Sequence, residues 1–355
     1  MALKESHPRI TPLQLAIERG TRPGGELRDE LARLADYAVK SRSDAEVICG
    51  VLERRLRRES TLGGDESLHA LIGLFQEVEG PDCPAFGAMV ELGQPLLIEI
   101  AEVGSRADSQ IDPEDVLFAL KILAIYGTRA GTEAVIRAAA DGFQADSYWW
   151  HLILEPYGDG HPESPRLFRA LSNHPLDDFL AVSLIDSANV ALNNGTELDH
   201  PFDTPNGRRQ IEQWLTDPDP ESATAAASAA VALAHIDEPF RDRMLAVALD
   251  HQSDLVRLEA ALSAARVGIA SGIDVLARLA QNVHHSAQAC AYLRELGQDD
   301  AIPPIALDPG FEAMAELSQW LAHPCELGHA PERLEVISER TLYWPPESAT
   351  KTLRL

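Results

Sequence analysis

Histidine holds the most chemical promise in this chain, because imidazole titrates near neutral pH and ligates metals. Five of the twelve histidines precede a proline: His7, His161, His174, His200 and His323. A row of imidazoles at helix junctions would suit a metal ion or a carboxylate. The simpler account is punctuation, since proline favours the first helical turn and its predecessor lies outside the helix. His323, Cys325, Glu326 and His329 are all metal-ligand types and sit close together. Their spacing matches no standard zinc pattern. His284 and His285 diverge if they lie on a helix. No metal ligand, cofactor residue or catalytic residue is assigned.

The densest aromatic run is Tyr148-Trp149-Trp150-His151. Consecutive helical positions diverge by about 100°, so the four side chains cannot all enter one core. This run is the expected partner-binding site, because exposed aromatic side chains anchor interfaces. The alternative use is filling gaps between packed helices. Arg54-Arg55-Leu56-Arg57-Arg58 reads as the solvated face of an amphipathic helix. Asp177-Asp178 and Asp299-Asp300 sit where helix starts favour negative charge. The chain has no GxxxxGK phosphate loop, no GxGxxG, no GxSxG and no HExxH.

The elements that must position these residues read as helices. Leu27, Leu31, Leu34, Ala35 and Ala38 fit one face of a first long helix. Ser43 or Asp44 would cap a second, carrying Val47, Val51, Leu52 and Leu56. Asp65 would open a third with Leu68, Leu71, Ile72 and Phe75. Asp112-Pro113-Glu114-Asp115 combines a cap, a first-turn proline and acids at the positive helix end. Thr132 would start a helix with Ala134, Val135, Ala138 and Ala139.

Between residues 205 and 297 one pattern occurs three times. Ile211, Trp214, Leu215 and Asp217 return as Met244, Val247, Ala248 and Asp250, then as Leu276, Leu279, Ala280 and Asn282. The offsets are 33 and 32 residues. Each copy precedes a small-residue helix: Ala223 to Ala234, Val256 to Val267, Ala287 to Leu296. Repeats of this length signify stacked supersecondary units.

Asp250 to Ala261 resembles the turn and second helix of a HEAT repeat. That resemblance implies an all-α, α-solenoid fold of antiparallel helix pairs, HEAT/armadillo-like. It also implies a ladder of turn Asp and helix Arg, onto which Asp250 and Arg257 map. Thr224 and Ala289 stand where the flanking copies would carry Arg. With Trp320-Leu321-Ala322-His323-Pro324, the tail resembles bacterial HEAT-repeat proteins of no assigned activity. HEAT-like di-iron hydroxylases draw ligands from His-Glu dipeptides, and this chain has none. The expected organisation is an irregular helical half (1–195), a loop (196–208), regular repeats (209–300) and a C-terminal cap (301–355). Leu334 to Ile337, Thr341 to Trp344 and Lys351 to Leu355 look strand-like and suggest a terminal β-hairpin.

Bulk properties narrow the function. Of 355 residues, 56 are acidic and 30 basic, a net charge of −26. Such a surface repels phosphate backbones and tolerates basic proteins. Cys49, Cys83, Cys290 and Cys325 show no CxxC spacing, which fits free thiols in a reducing compartment. No apolar stretch is long enough to span a bilayer. The sequence therefore predicts a cytoplasmic, non-catalytic interaction module with a basic protein partner, no nucleic acid and no membrane. The rival expectations are a bilin-lyase-like accessory enzyme built around residues 148 to 161, and an immunity or antitoxin-like protein.

Overall fold

The computed structural model describes residues 10–22, 26–34, 37–58, 66–78, 82–106, 108–172, 174, 176, 178–323, 325–335 and 337–354. Among the described residues the structure is all-α apart from one small hairpin, and the chain divides into two compact units, Met1–Pro201 and Phe202–Leu355. The first unit holds α1 (Pro12–Gly20), α2 (Leu27–Ala32), α3 (Arg42–Arg58), α4 (Glu66–Gly73), α5 (Pro84–Gly104), α6 (Pro113–Ile125), α7 (Arg129–Ala140), α8 (Ser147–Gly158), α9 (Ser164–Leu171) and α10 (Asp178–Asn193). The second holds α11 (Pro205–Thr216), α12 (Ala223–Ala232), α13 (Phe240–Leu249), α14 (Asp254–Arg266), α15 (Ser271–Leu279), α16 (Ser286–Glu295), α17 (Pro309–Ala322), β1 (Glu339–Trp344) and β2 (Ala349–Arg354).

Short polar residues set most helix starts. Thr11 forms a capping box with Gln14, and both side chains reach Asp44 Oδ1, at 2.8 and 3.0 Å. Asp44 is buried and also accepts from Ser41, so one carboxylate ties α1 to the start of α3. Asp112 accepts from Glu114 N at 2.9 Å and caps α6 as expected. The helix ends repeat one device. After α7, α10, α14 and α16 the chain bends back through Gly142, Gly195, Gly268 and Gly297, all at positive φ. Each glycine N–H and the one after it bond to carbonyls of the last turn, as Ile269 N does to Ala264 O at 2.8 Å.

Cores form between neighbouring helices: α3 with α5, α5 with α6, α8 with α10, and in the second unit α12 with α14 and α14 with α15. Trp150, Tyr157, Phe75 and Phe168 are among the largest fully buried side chains. In the second unit, alanines let helices approach. Ala260, Ala261 and Ala264 of α14 are fully buried. A Cβ on Gly272 of α15 would lie 2.4 Å from Ala261 O, so the backbones touch there.

Arg–Glu pairs join successive helical hairpins: Glu102–Arg137, Glu133–Arg166 and Glu212–Arg243 at 2.8 Å, and Arg266–Glu295 at 2.6 Å. These pairs are partly exposed, and each contributes about 0–1 kcal/mol. Their physical effect is to fix register rather than to supply stability.

Several expectations need correction. The long helix through Leu27 and Ala38 stops at Ala32, because Val39 instead enters a parallel bridge with Val78 and its N–H bonds to Glu77 O at 2.9 Å. Ala35 lies outside the described residues, as does Asp65. The helix assigned to a Thr132 start begins at Arg129, since Thr128 already caps Gly131 N. The loop drawn at 196–208 ends sooner, at Thr204, whose hydroxyl accepts from Gly207 N and starts α11. Leu334 to Ile337 is not a strand among its described residues, and Val336 is outside them. β1 and β2 pair antiparallel, with Thr341 opposite Thr352 and Trp344 opposite Ala349. Every residue of β1 is exposed.

Candidate functional site

A recess lies in the first unit, where α2, α4, the turn after α4 and the start of α6 converge. It encloses about 690 Å³. Among the described residues its acids are Glu77, Asp112, Glu114 and Asp115, its rings are Tyr37, His69 and Phe118, and its one permanent cation is Arg28. Local folding explains the convergence. The Asp112 cap and Pro113 start α6 so that Asp115 and Phe118 fall almost one turn apart. The Val39–Val78 bridge brings Tyr37 beside Glu77.

Asp115 is the buried centre of this site, with a side chain 7% exposed. Its Oδ1 lies 2.8 Å from His69 Nδ1. With the carboxylate ionised, Nδ1–H donates and Nε2 remains without a partner among the described residues. The His69 ring also stacks on Phe118, centroids 5.0 Å apart and planes within 16°. Burial pushes the Asp115 carboxyl up, its bond to His69 pulls it back, and Asp112 and Glu114 add to the rise. Burial and then Glu77 raise the Tyr37 hydroxyl.

A carboxylate-held imidazole is half of a nucleophilic triad. Among the described lining residues there is no Ser, Thr or Cys for it to activate. The lining is cation-attracting in composition: four carboxylates, together with aromatic rings of the kind that stack on a guanidinium or ammonium.

The aromatic run expected to bind a partner separates as helical geometry requires. Asp146 accepts from Trp149 N at 3.0 Å and caps α8. Tyr148 and His151 are exposed, Trp149 is half-buried, and Trp150 is fully buried. Tyr148 and Trp149 meet edge to face at 6.1 Å. Further along, Tyr157 Oη donates to Thr132 Oγ1 at 3.1 Å. His161 Nε2 donates to Ala124 O and its Nδ1 accepts from Glu163 N, both at 3.0 Å. Burial lowers its pKa. Tyr157 and His161 are thus engaged in packing, whereas Tyr148 and His151 remain exposed.

Asp250 and Arg257 are not brought together. Arg257 bonds instead to Asp254, one turn away on its own helix, and to His251 O. Asp254 makes the reach to the next hairpin, to Asn282 at 3.4 Å and His285 at 3.5 Å. His323, exposed, accepts from Cys325 N at 3.2 Å. Among the described residues no cluster of metal-ligand types could hold an ion. His200 is buried against Asn189, His174 is exposed, and His7 lies outside the described residues. Among the described residues no helix is long and apolar enough to cross a membrane.

Sequence reasoning missed Tyr37, His69 and Phe118 altogether and took Asp115 for a helix-start acid. The one available signal was the surplus of acids at 112–115, beyond what capping needs. Comparison with protein-family models, curated proteins and solved structures returned no match for this chain.

Proposed function

We propose that this chain is a non-catalytic, HEAT-like binding module that captures a basic protein through the acidic and aromatic recess of its first unit. The observation that carries the reading is the recess itself, where four carboxylates and the Tyr37 and Phe118 rings surround a space sized for one or two basic side chains. The net charge of −26 adds long-range attraction for such a partner. Three features support a solenoid of stacked helix pairs: near-equal spacing of α11, α13 and α15, recurrent glycine helix ends, and Arg–Glu pairs between hairpins. Solenoids present long surfaces suited to macromolecular partners.

A labelled nona-arginine peptide is a workable probe, measured by fluorescence anisotropy on the full chain. Binding should weaken steeply between low and physiological salt, because screening acts over about 8 Å at 0.15 M. A Glu77→Gln, Asp112→Asn, Glu114→Gln variant should lose roughly ten-fold or more in affinity, as each exposed charge contact contributes about 0.3–1 kcal/mol. Glu53→Gln, on α3 and outside the lining, should leave binding as it was. Equal binding by the triple variant would overturn the proposal.

A further inference from the structure

The second unit carries a site of opposite character. Arg208, Arg209 and Arg243 converge on a separate recess of about 540 Å³, completed by Asp203, Thr204, Pro205, Glu212 and the ring of Phe240. In a chain with almost two acids for each base, three arginines at one hollow need a physical reason.

Two of them have partners that orient them. The guanidinium carbons of Arg208 and Arg243 lie 5.6 and 5.4 Å from the centroid of Phe240, which is itself 8% exposed. Arg208 donates through Nε and Nη2 to Asp203 Oδ1, both at 2.6 Å. Arg243 grips Glu212 with Nη1 at 2.8 Å and Nη2 at 3.3 Å. A guanidinium has five N–H bonds, so Nη1 of Arg208 and Nε of Arg243 stay available. The carboxylates orient these arginines without exhausting them. Arg209 is exposed and makes no ion pair or hydrogen bond among the described residues. The lining side chains therefore carry three positive charges against two negative ones.

The backbone fixes the same arrangement. Gly207, in the first turn of α11, lies so close to Phe202 that a Cβ would come within 2.4 Å of its Cα. That contact places Arg208 and Arg209 above the start of α13, where Phe240 and Arg243 sit one turn apart.

We propose that this recess binds a compact phosphate dianion, either inorganic phosphate or the phosphomonoester of a phosphorylated side chain. Such a group carries close to two negative charges near neutral pH and several acceptor oxygens, and forked guanidinium donors match that geometry better than ammonium groups do. A long polyanion would meet the acidic surroundings and be repelled, whereas one compact dianion fits the hollow. The site is separate from the first-unit groove, and its failure would leave the basic-partner reading standing.

Isothermal titration calorimetry on the full chain, in chloride buffer at fixed ionic strength, tests the assignment. The ligands are inorganic phosphate, a phosphoserine peptide and its unphosphorylated twin. The expected result is one-to-one binding of both phosphate ligands and none of the unmodified peptide. Arg209→Gln and Arg243→Gln should each weaken binding roughly ten-fold or more, since a charge-assisted hydrogen bond is lost each time. Arg209→Gln removes an exposed, unpaired side chain, so its circular dichroism melt should match the parent and keep the test independent of folding. Tighter binding of the peptide than of phosphate would identify a phosphorylated protein as the source, and equal binding would identify free phosphate. Absence of binding at phosphate concentrations on the order of 10 mM, or unchanged binding by Arg209→Gln, would overturn the proposal.

Discussion

Two glycines on one helix should respond to the same substitution with opposite signs. Gly87 and Gly93 both lie within α5, so alanine removes the same backbone freedom from the unfolded chain at each. A Cβ at Gly87 meets nothing within 4 Å. Gly87→Ala should therefore stabilise the protein by about 0.5–1 kcal/mol, the helix advantage of alanine over glycine. At Gly93 the Cβ would fall 2.1 Å from Phe75 Cε1, 2.8 Å from Cζ and 3.3 Å from Cys49 Sγ. Phe75 is 2% exposed and cannot swing into solvent. Its ring must retreat by about 1.3 Å to restore ordinary contact, the kind of overpacking that costs about 1–3 kcal/mol. After the helix gain is subtracted, Gly93→Ala should destabilise by up to about 2.5 kcal/mol. Urea unfolding followed by circular dichroism reads both shifts as changes of midpoint at unchanged slope. Hydrogen exchange of α5 peptides assigns them to the first unit. If Gly93→Ala gains stability as Gly87→Ala does, the close packing of α5 on Phe75 is refuted.

Two further predictions concern buried polar groups. Burial depresses the pKa of His161, His235 and His285, so the folded state prefers their neutral forms. Their contribution to stability is complete above the unfolded value of about 6.5 and is lost as pH falls through the lower folded values. Acidification also relaxes the net charge, so the readout is a difference: His161→Gln should flatten the fall in Tm between pH 7 and about 5.5, and an unchanged slope would sink this account. Tyr126 Oη is buried without a hydrogen-bond partner among the described residues, whereas Tyr157 Oη donates to Thr132. Tyr157→Phe should cost about 1 kcal/mol, while Tyr126→Phe should be neutral or stabilising; equal losses in thermal melts would contradict the hydrogen-bond assignment.

Legibility followed sequence distance. Helices α11 to α16 could be read because their apolar positions return after 33 and 32 residues, and each helix is specified by its own local pattern. The recess could not be read, because His69 and Asp115 are 46 residues apart and nothing in either neighbourhood points to the other. Tyr37 was lost for a different reason. Its segment has helical spacing, but Val39 finds a better partner in Val78, and a non-local bridge leaves no local trace. The Thr204-Pro205 start of α11 was visible and misjudged, since the glycine and asparagine beside it also suit a loop. Arg257 pairs with Asp254, three residues away on its own helix, a local contact that the spacing of Asp250 and Arg257 did not suggest.

The β1–β2 hairpin has a consequence for crowded conditions. Among the described residues the sheet has two strands, and edge strands of this kind present amides and carbonyls to any extended peptide that drifts near. Glu339, Arg340 and Lys351 place formal charges along these strands. Recruiting a third strand would force such charges out of water or against one another, which discourages fibre growth. Neutralising those three positions would remove that guard and leave the Leu342-Tyr343-Trp344 segment as a nucleus for self-association.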